Sequence, residues 1–294
     1  MSLTMTAGRP MRRSRHRGRR VLNRAGLAVL GVVLAFWTII PVWNILLIAL
    51  SEDGDEFSGT VWPSDPSFES FYVIWTEGYW YLENFWHQFG NSCIIGVATM
   101  VLTVLIGSLA SFAMGRMRLP RARLVGDLSL LTYAVPASFL VIPFTHLMRV
   151  YGLTDNLLSV IAAEVAFATP YAILICHQYG KLIPLELDDA ARVDGAHPFQ
   201  VYWRIYLPLM APALAAVATF ALLLAWNEYL YQHLLLSSPR SMTVAVAIDQ
   251  FFDSDEAPWN YMMAIALVYS IPPIAVYYAL RRYMVAGLTM GGVK

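Results

Sequence analysis

The sequence predicts an all-α membrane protein with six transmembrane helices. The chain is 58% hydrophobic and only 14% charged, against about 25% charged residues in a soluble domain. That deficit is concentrated in six apolar runs of roughly 20 residues or more, each long enough at about 1.5 Å per residue to cross a hydrocarbon core. Lys and Arg are also divided very unequally between the two sides that these runs define, eighteen against two, which is the bias expected of a cytoplasmic face. The formal net charge is zero, so bulk charge singles out no partner and no nucleic-acid ligand is expected.

Taken in order, residues 1–25 form a basic tail. Eight arginines lie between Arg9 and Arg24 with no acid among them. Such a composition predicts an irregular segment held against anionic lipid. Arg19-Arg20 ahead of an apolar run also fits a twin-arginine export signal. The run from Gly26 to Leu50 is too long for the apolar part of a signal, however, and ends without a small-x-small cleavage site. It reads as a retained first span, kinked at Pro41. Ser51 to Gly90 then carries eight acids, no Lys or Arg, and Trp62, Trp75, Trp80 and Trp86. Short helices at the membrane interface are expected there, either as a docking surface for a soluble partner or as an aromatic belt.

Five further spans follow at about Asn91–Met114, Leu128–Met148, Leu157–Gly180, Leu209–Leu236 and Tyr261–Leu280. They complete a transmembrane domain over 26–284, with a short tail at 285–294. The N-terminal arginines fall on one side together with Arg116, Arg118, Arg121, Arg123, Lys181, Arg192, Arg204, Arg281, Arg282 and Lys294; the other side receives Arg149 and Arg240. Both termini are therefore expected to be cytoplasmic, which an even number of spans allows.

A polar island at 186–208 interrupts the apolar pattern on the cytoplasmic side. A short helix is predicted over Leu187 to Val193, ended by Gly195 at positive φ. Pro198 suits the first turn of a second helix that runs through Trp203 to about Tyr206. Pro208 then opens the next apolar segment, so the island reads as a helix–turn–helix elbow. Asp188 and Arg192, spaced i,i+4, can pair on its surface, with Asp188 a solvated charge. Asp189 and Asp194 are free to meet bases on a partner.

The spacing of Ala190-Ala191, Gly195, Ile205 and Leu207-Pro208 resembles the EAA loop of the membrane subunits of binding-protein-dependent ABC importers, with Asp189 where that family has Glu. Trp226-Asn227-Glu228-Tyr229, together with Gly287-Leu288-Thr289 and Gly291 to Lys294, resembles the carbohydrate, maltose-type branch. The resemblance implies a type I ABC importer permease fold in the bacterial inner membrane. It implies assembly with a second permease subunit, two ATPase subunits and an extracytoplasmic solute-binding protein, and a carbohydrate substrate. It makes Asp189, Ala190, Ala191, Asp194, Gly195, Ile205, Leu207 and Pro208 the residues that couple to the ATPase. No cofactor is expected on this chain itself: ATP and magnesium belong to the partner ATPases. The chain has no P-loop, and its only lysines are Lys181 and Lys294.

Ionisable groups inside spans are costly and normally face a bundle interior or water. Glu164 and Glu228, with Asn227, are therefore expected either to line a translocation pathway or to pair with the second permease chain. Trp226, Tyr229 and Tyr231 offer aromatic faces for a sugar or for packing. His146 and His177 have no metal-ligand spacing and read as packing residues. The acidic loop from Ser237 to Asn260 is placed outside, either reaching toward the binding protein, as the resemblance implies, or serving as a connector. An importer of a non-sugar polar solute is the alternative within the class. A stand-alone secondary transporter would show an inverted repeat, and an intramembrane enzyme a nucleophile–base pair or H-E-x-x-H; neither pattern is seen.

Overall fold

The computed structural model describes residues 14–52, 59–117, 122–253 and 258–290, and no strand occurs among them. Its helices are α1 (Ser14–Ala49), α2 (Glu69–Thr76), α3 (Phe85–Arg116), α4 (Ala122–Leu131), α5 (Ala137–Val150), α6 (Leu157–Gly180), α7 (Glu186–Val193), α8 (Pro198–Val201), α9 (Leu207–Leu209), α10 (Ala211–Asn227), α11 (Leu230–Leu235), α12 (Val244–Asp249) and α13 (Trp259–Met290). Four helical stretches are long and apolar enough to cross a membrane, and the count reaches six when each of two bent helix pairs is one span.

The centre is the α3–α6 pair, with α10 against both and α13 against α10. In lipid, apolar side chains gain little by leaving the hydrocarbon, so helices associate through close packing of small residues and through hydrogen bonds. The α3 face follows this rule: Thr99, Thr103, Gly107, Ser108 and Ser111 are all buried. At Gly107 the approach is so close that an added Cβ would lie 2.7 Å from Ala172 Cβ. Helix α1 behaves differently. It is exposed from Arg24 to Trp43 and is buried only at its end, over Leu47–Leu50. It continues through Pro41 without interruption, and it begins at Ser14. The arginine-rich stretch is thus helical from Ser14 onward rather than irregular to Arg24, while 1–13 lie outside the described residues.

Two expected spans are broken. Leu128–Met148 was expected as one helix, but α4 and α5 meet at 98°. The break is at Val135-Pro136: Val135 is extended at φ −97°, ψ 117°, as a residue preceding proline prefers, and Pro136 has no N–H with which to continue the helix. Leu209–Leu236 likewise splits into α10 and α11, and α10 itself is bent by 78° from the helical stretch before it.

The aromatic segment after α1 folds as a cap. Ile74 of α2, Leu82, Phe85, Val244, Phe251, Met262 and Ile265 share one core. Trp75 and Trp86 meet edge-to-face at 5.4 Å, and Glu77 Oε1 accepts the Trp86 backbone N–H at 3.1 Å. The Ser237–Asn260 loop is pinned beside it. Asn91 Nδ2 donates to the carbonyls of Arg240 and Met242 at 2.7 and 2.9 Å, and Val244 N donates to Ser92 Oγ. Asp155 Oδ1 accepts the N–H groups of Ser237 and Ser238 at 2.8 and 3.1 Å. Partial burial opposes ionisation of Asp155, but these bonds prevail and hold its carboxyl below the usual range.

The α3–α6 approach gives a direct test. Gly107→Val should destabilise the fold by about 1–3 kcal/mol through overpacking, lowering the Tm in detergent by at least ~2 °C. Gly115→Ala, where an added Cβ meets nothing within 4 Å, should leave it unchanged. Thermal unfolding followed by tryptophan fluorescence measures both.

Candidate functional site: the elbow and the helix break

The elbow forms as its residues dictate. Acids fill the first turn of α7 and Arg192 its last, matching the helix dipole. Asp194 caps the helix, and Gly195 follows at φ +82° with open space around it. His197 starts the second helix with a capping box: its Nδ1 accepts from Phe199 N while Gln200 Oε1 accepts from His197 N. Pro198 follows at the first helical position. Beyond Val201 the helix widens into a π-turn over Tyr202–Tyr206. Pro208 lacks the N–H that would reach the Arg204 carbonyl, and its ring crowds that carbonyl; Leu207 N accordingly donates to Tyr202 O instead.

What fixes the elbow is an ion pair that the sequence reading misassigned. Asp188 does not pair with Arg192 on the surface. It is buried, 2% exposed, with Oδ2 at 3.3 Å from Nε of Arg116, itself 3% exposed at the end of α3. Arg192 turns to Asp189 instead, at 3.6 Å on the solvent side. The Arg116 guanidinium also donates to the carbonyls of Ile183 (2.9 Å) and Gly180 (3.4 Å), closing off the end of α6, and lies over the Tyr206 ring at 5.6 Å. Two hydroxyl pairs complete the latch: Tyr206 with Ser111 at 2.7 Å and Tyr202 with Ser108 at 2.8 Å. Burial raises the Asp188 carboxyl above its ordinary range; Arg116 and Arg192 pull the other way without reversing it.

The expected coupling residues divide by face. Asp189, Ala190, Asp194, Gly195 and Pro208 are exposed, whereas Ala191, Ile205 and Leu207 are half-buried and pack on the core beneath. Large apolar side chains stand uncovered beside the first group: Val193 is 88% exposed, and Leu187, Phe199 and Trp203 are also open. Arg116, Tyr202 and Tyr206 are site residues that sequence reasoning passed over. The available signal was an arginine directly ending an apolar run, which a purely electrostatic reading assigned to the membrane surface.

The second expected cluster sits where α10 ends, seventeen residues from its start. Glu228 adopts an extended conformation (ψ 130°) and turns its carboxylate onto α11, accepting from Tyr231 N at 2.9 Å and Gln232 N at 3.2 Å. It therefore caps α11, taking N–H groups that have no partner within the helix itself. Glu164 of α6 is fully buried, and the side chain that faces it is the carboxyl group of Glu228. Trp226 is buried and stacks on Tyr269 at 4.6 Å. Asn227 is exposed and bonds back to the Leu223 carbonyl. The Tyr229 hydroxyl donates to Asp249 of α12 at 2.5 Å. Glu164, Trp226 and Glu228 thus converge on the break, while Asn227 and Tyr229 point away from it.

An all-helical bundle with broken spans and an exposed elbow matches a known family. Residues 103–289 fit the model of the inner membrane component of binding-protein-dependent transport systems. The chain belongs to this family. The trehalose transport system permease protein SugB of Mycobacterium tuberculosis is 32% identical to it, over 91% of this chain and 96% of that protein. The arabinooligosaccharides transport system permease protein AraQ of Halalkalibacterium halodurans is 29% identical, over 89% and 93% respectively. The fold is that of ABC importer permeases: a chain of a bacterial ABC transporter involved in alginate import superposes with a TM-score of 0.75 at 24% identity, covering 94% of this chain and 99% of that one.

In this permease the two aspartates of α7 should behave oppositely. Asp188→Ala leaves the Arg116 charge buried and unpaired and is expected to cost about 3–5 kcal/mol. Asp189→Ala removes only a solvent-side pair and should cost under ~1 kcal/mol. Denaturant unfolding in micelles separates them.

Proposed function

We propose that this permease is one membrane half of an ATP-driven importer that passes a carbohydrate or sugar derivative delivered by an extracytoplasmic binding protein. A second permease subunit and two ATPase subunits complete the assembly, and the ATPases bind the ATP and magnesium. The observation that carries the reading is the elbow: a helix pair rigidly latched to the bundle on its inner side, presenting apolar and acidic side chains on its outer side. Val193, Leu187 and Phe199 suit burial in a groove of the ATPase, and Asp189 and Asp194 suit basic residues on its rim. Arg116 and Tyr206 tie that helix pair to α3 and α6, so a push on α7 moves the bundle as a rigid body. The sugar assignment is supported by the names of the relatives, among them trehalose, arabinooligosaccharide and diacetylchitobiose permeases. Placement of both termini and the elbow in the cytoplasm rests on the eighteen-to-two division of basic residues.

In this reading Glu164, Trp226, Asn227, Glu228 and Tyr229 border the translocation pathway. A helix broken within the membrane is tolerated only where protein or a water-lined cavity surrounds it, and the Glu164–Glu228 approach provides the polar lining.

Gly195 tests the coupling role. Its φ of +82° makes Gly195→Val strained by about 1–3 kcal/mol, and uptake should be lost while the chain stays in the membrane. Asp189→Lys should reduce co-purification of the ATPase by reversing a contact charge. Wild-type uptake in both variants, measured with radiolabelled sugar in cells, would remove the elbow from the mechanism.

A further inference from the structure

A cleft of 420 Å³ opens between the aromatic cap and the loop that follows α11, within the range of small-molecule sites. Its segments join the first span to the second and the fifth to the sixth, so both lie on the side opposite the elbow, the outer side in the proposed orientation. One wall is Trp80, 61% exposed, lying on Tyr81 with ring centroids 3.5 Å apart. Tyr81 is backed in turn by the buried Phe251 at 5.1 Å, so the platform is held rigidly. The remaining lining carries Glu83, Asn84, Gln88 and Gln250 beside Pro239, with no Lys or Arg among the described residues that line it. Gln88 is buried. Its Nε2 donates to the Pro239 carbonyl at 3.1 Å, whereas its Oε1 has no partner among the described residues.

This is a specific chemical combination. A flat, largely uncovered indole suits the C–H face of a pyranose ring. Planar amides and a carboxylate suit its hydroxyls, which donate and accept at fixed angles. An anionic ligand is disfavoured, because the lining offers a negative charge and no positive one. We propose that this cleft is an outer saccharide subsite selective for neutral sugars, at which a saccharide is held before it enters the membrane. The proposal rests on the carbohydrate reading above and adds to it a location and a charge preference. Trp80 is the stacking platform, Glu83 the strongest acceptor, and Asn84 and Gln250 supply further polar contacts.

The test uses the whole transporter, labelled with 5-fluorotryptophan, in nanodiscs without binding protein. The fluorine resonance of Trp80 is assigned by its loss in Trp80→Phe. Trehalose, melibiose, diacetylchitobiose and glucuronate are titrated in turn, and uptake of the same sugars is measured in parallel with binding protein present. The Trp80 resonance is expected to shift saturably with at least one neutral sugar. Glu83→Gln, an exposed and nearly isosteric change, should weaken that response about tenfold, as loss of a hydrogen bond to a charged acceptor does. A transporter that accumulates a sugar to which Trp80 is indifferent would overturn the subsite while leaving the carbohydrate reading in place. A larger response to glucuronate would overturn the neutral preference. A shift caused by unliganded binding protein, with none caused by sugar, would make the cleft a protein contact instead. Failure to accumulate any saccharide would remove the carbohydrate reading and the subsite with it.

Discussion

The position of the elbow depends on one buried guanidinium. Arg116 ends α3, and four things converge on it: the carboxylate of Asp188 from α7, the carbonyls of Gly180 and Ile183 at the end of α6, and the ring of Tyr206 from the π-turn. Burying an isolated charge costs several kcal/mol even after relaxation, so the arginine can be buried only where all of these partners are in place. That makes the arrangement cooperative. Gly180 shows how tightly it is drawn, since an added Cβ there would sit 2.5 Å from the Tyr206 hydroxyl oxygen. A more apolar junction of the same volume would serve stability as well or better. The ionic version fixes the elbow in one geometry, because the guanidinium meets all of its partners only there.

The same logic of satisfied polar groups governs the breaks in the spans. Each break frees backbone donors and acceptors that need new partners, and each shows a local remedy. At Pro136 there is no N–H to orphan. At Pro208 the π-turn redirects the Leu207 N–H to Tyr202. At Glu228 a carboxylate takes the first N–H groups of α11. This last remedy is the costly one, since it keeps an acid in the apolar region with a second acid, Glu164, opposite it. A proline or a serine would end or cap a helix at less cost, so stability alone does not account for a carboxylate at that point.

Much of this was legible in the sequence because its signals are local. The apolar runs, Gly195 and Pro198 each act within a few residues, and the elbow formed where they indicated. The fold family was legible because Ala190, Ala191, Gly195, Ile205, Leu207 and Pro208 keep a fixed spacing. What escaped were the pairings between distant segments. Asp188 and Arg192 satisfy the i,i+4 rule, yet Asp188 lies on the inner face of α7 and meets Arg116, seventy-two positions away; no periodicity carries that information. The break between α4 and α5 was legible in principle, since Val135-Pro136 interrupts the run, but mean apolarity over a window hides a single imino acid. At 237–249 the tie of the loop to Asn91 and Ser92 comes from the tertiary fold alone.

A final consequence concerns how the two ends of α10 are linked. Its first residue follows the latched π-turn, and its last turn carries Trp226, seated on Tyr269 of α13 and against the position of Gly96 on α3. Between them Ala213, Ala215, Val217, Ala218, Ala221, Leu222 and Ala225 are buried, a run of small side chains that packs α10 closely along its length. Close-packed interiors transmit displacement rather than absorbing it. Packing along α10 thus joins the elbow to the point where Glu228 caps α11, and Tyr229 beside it donates to Asp249 on α12. The elbow, the acid pair and the outer loop thus lie on one continuous path of packed and hydrogen-bonded groups.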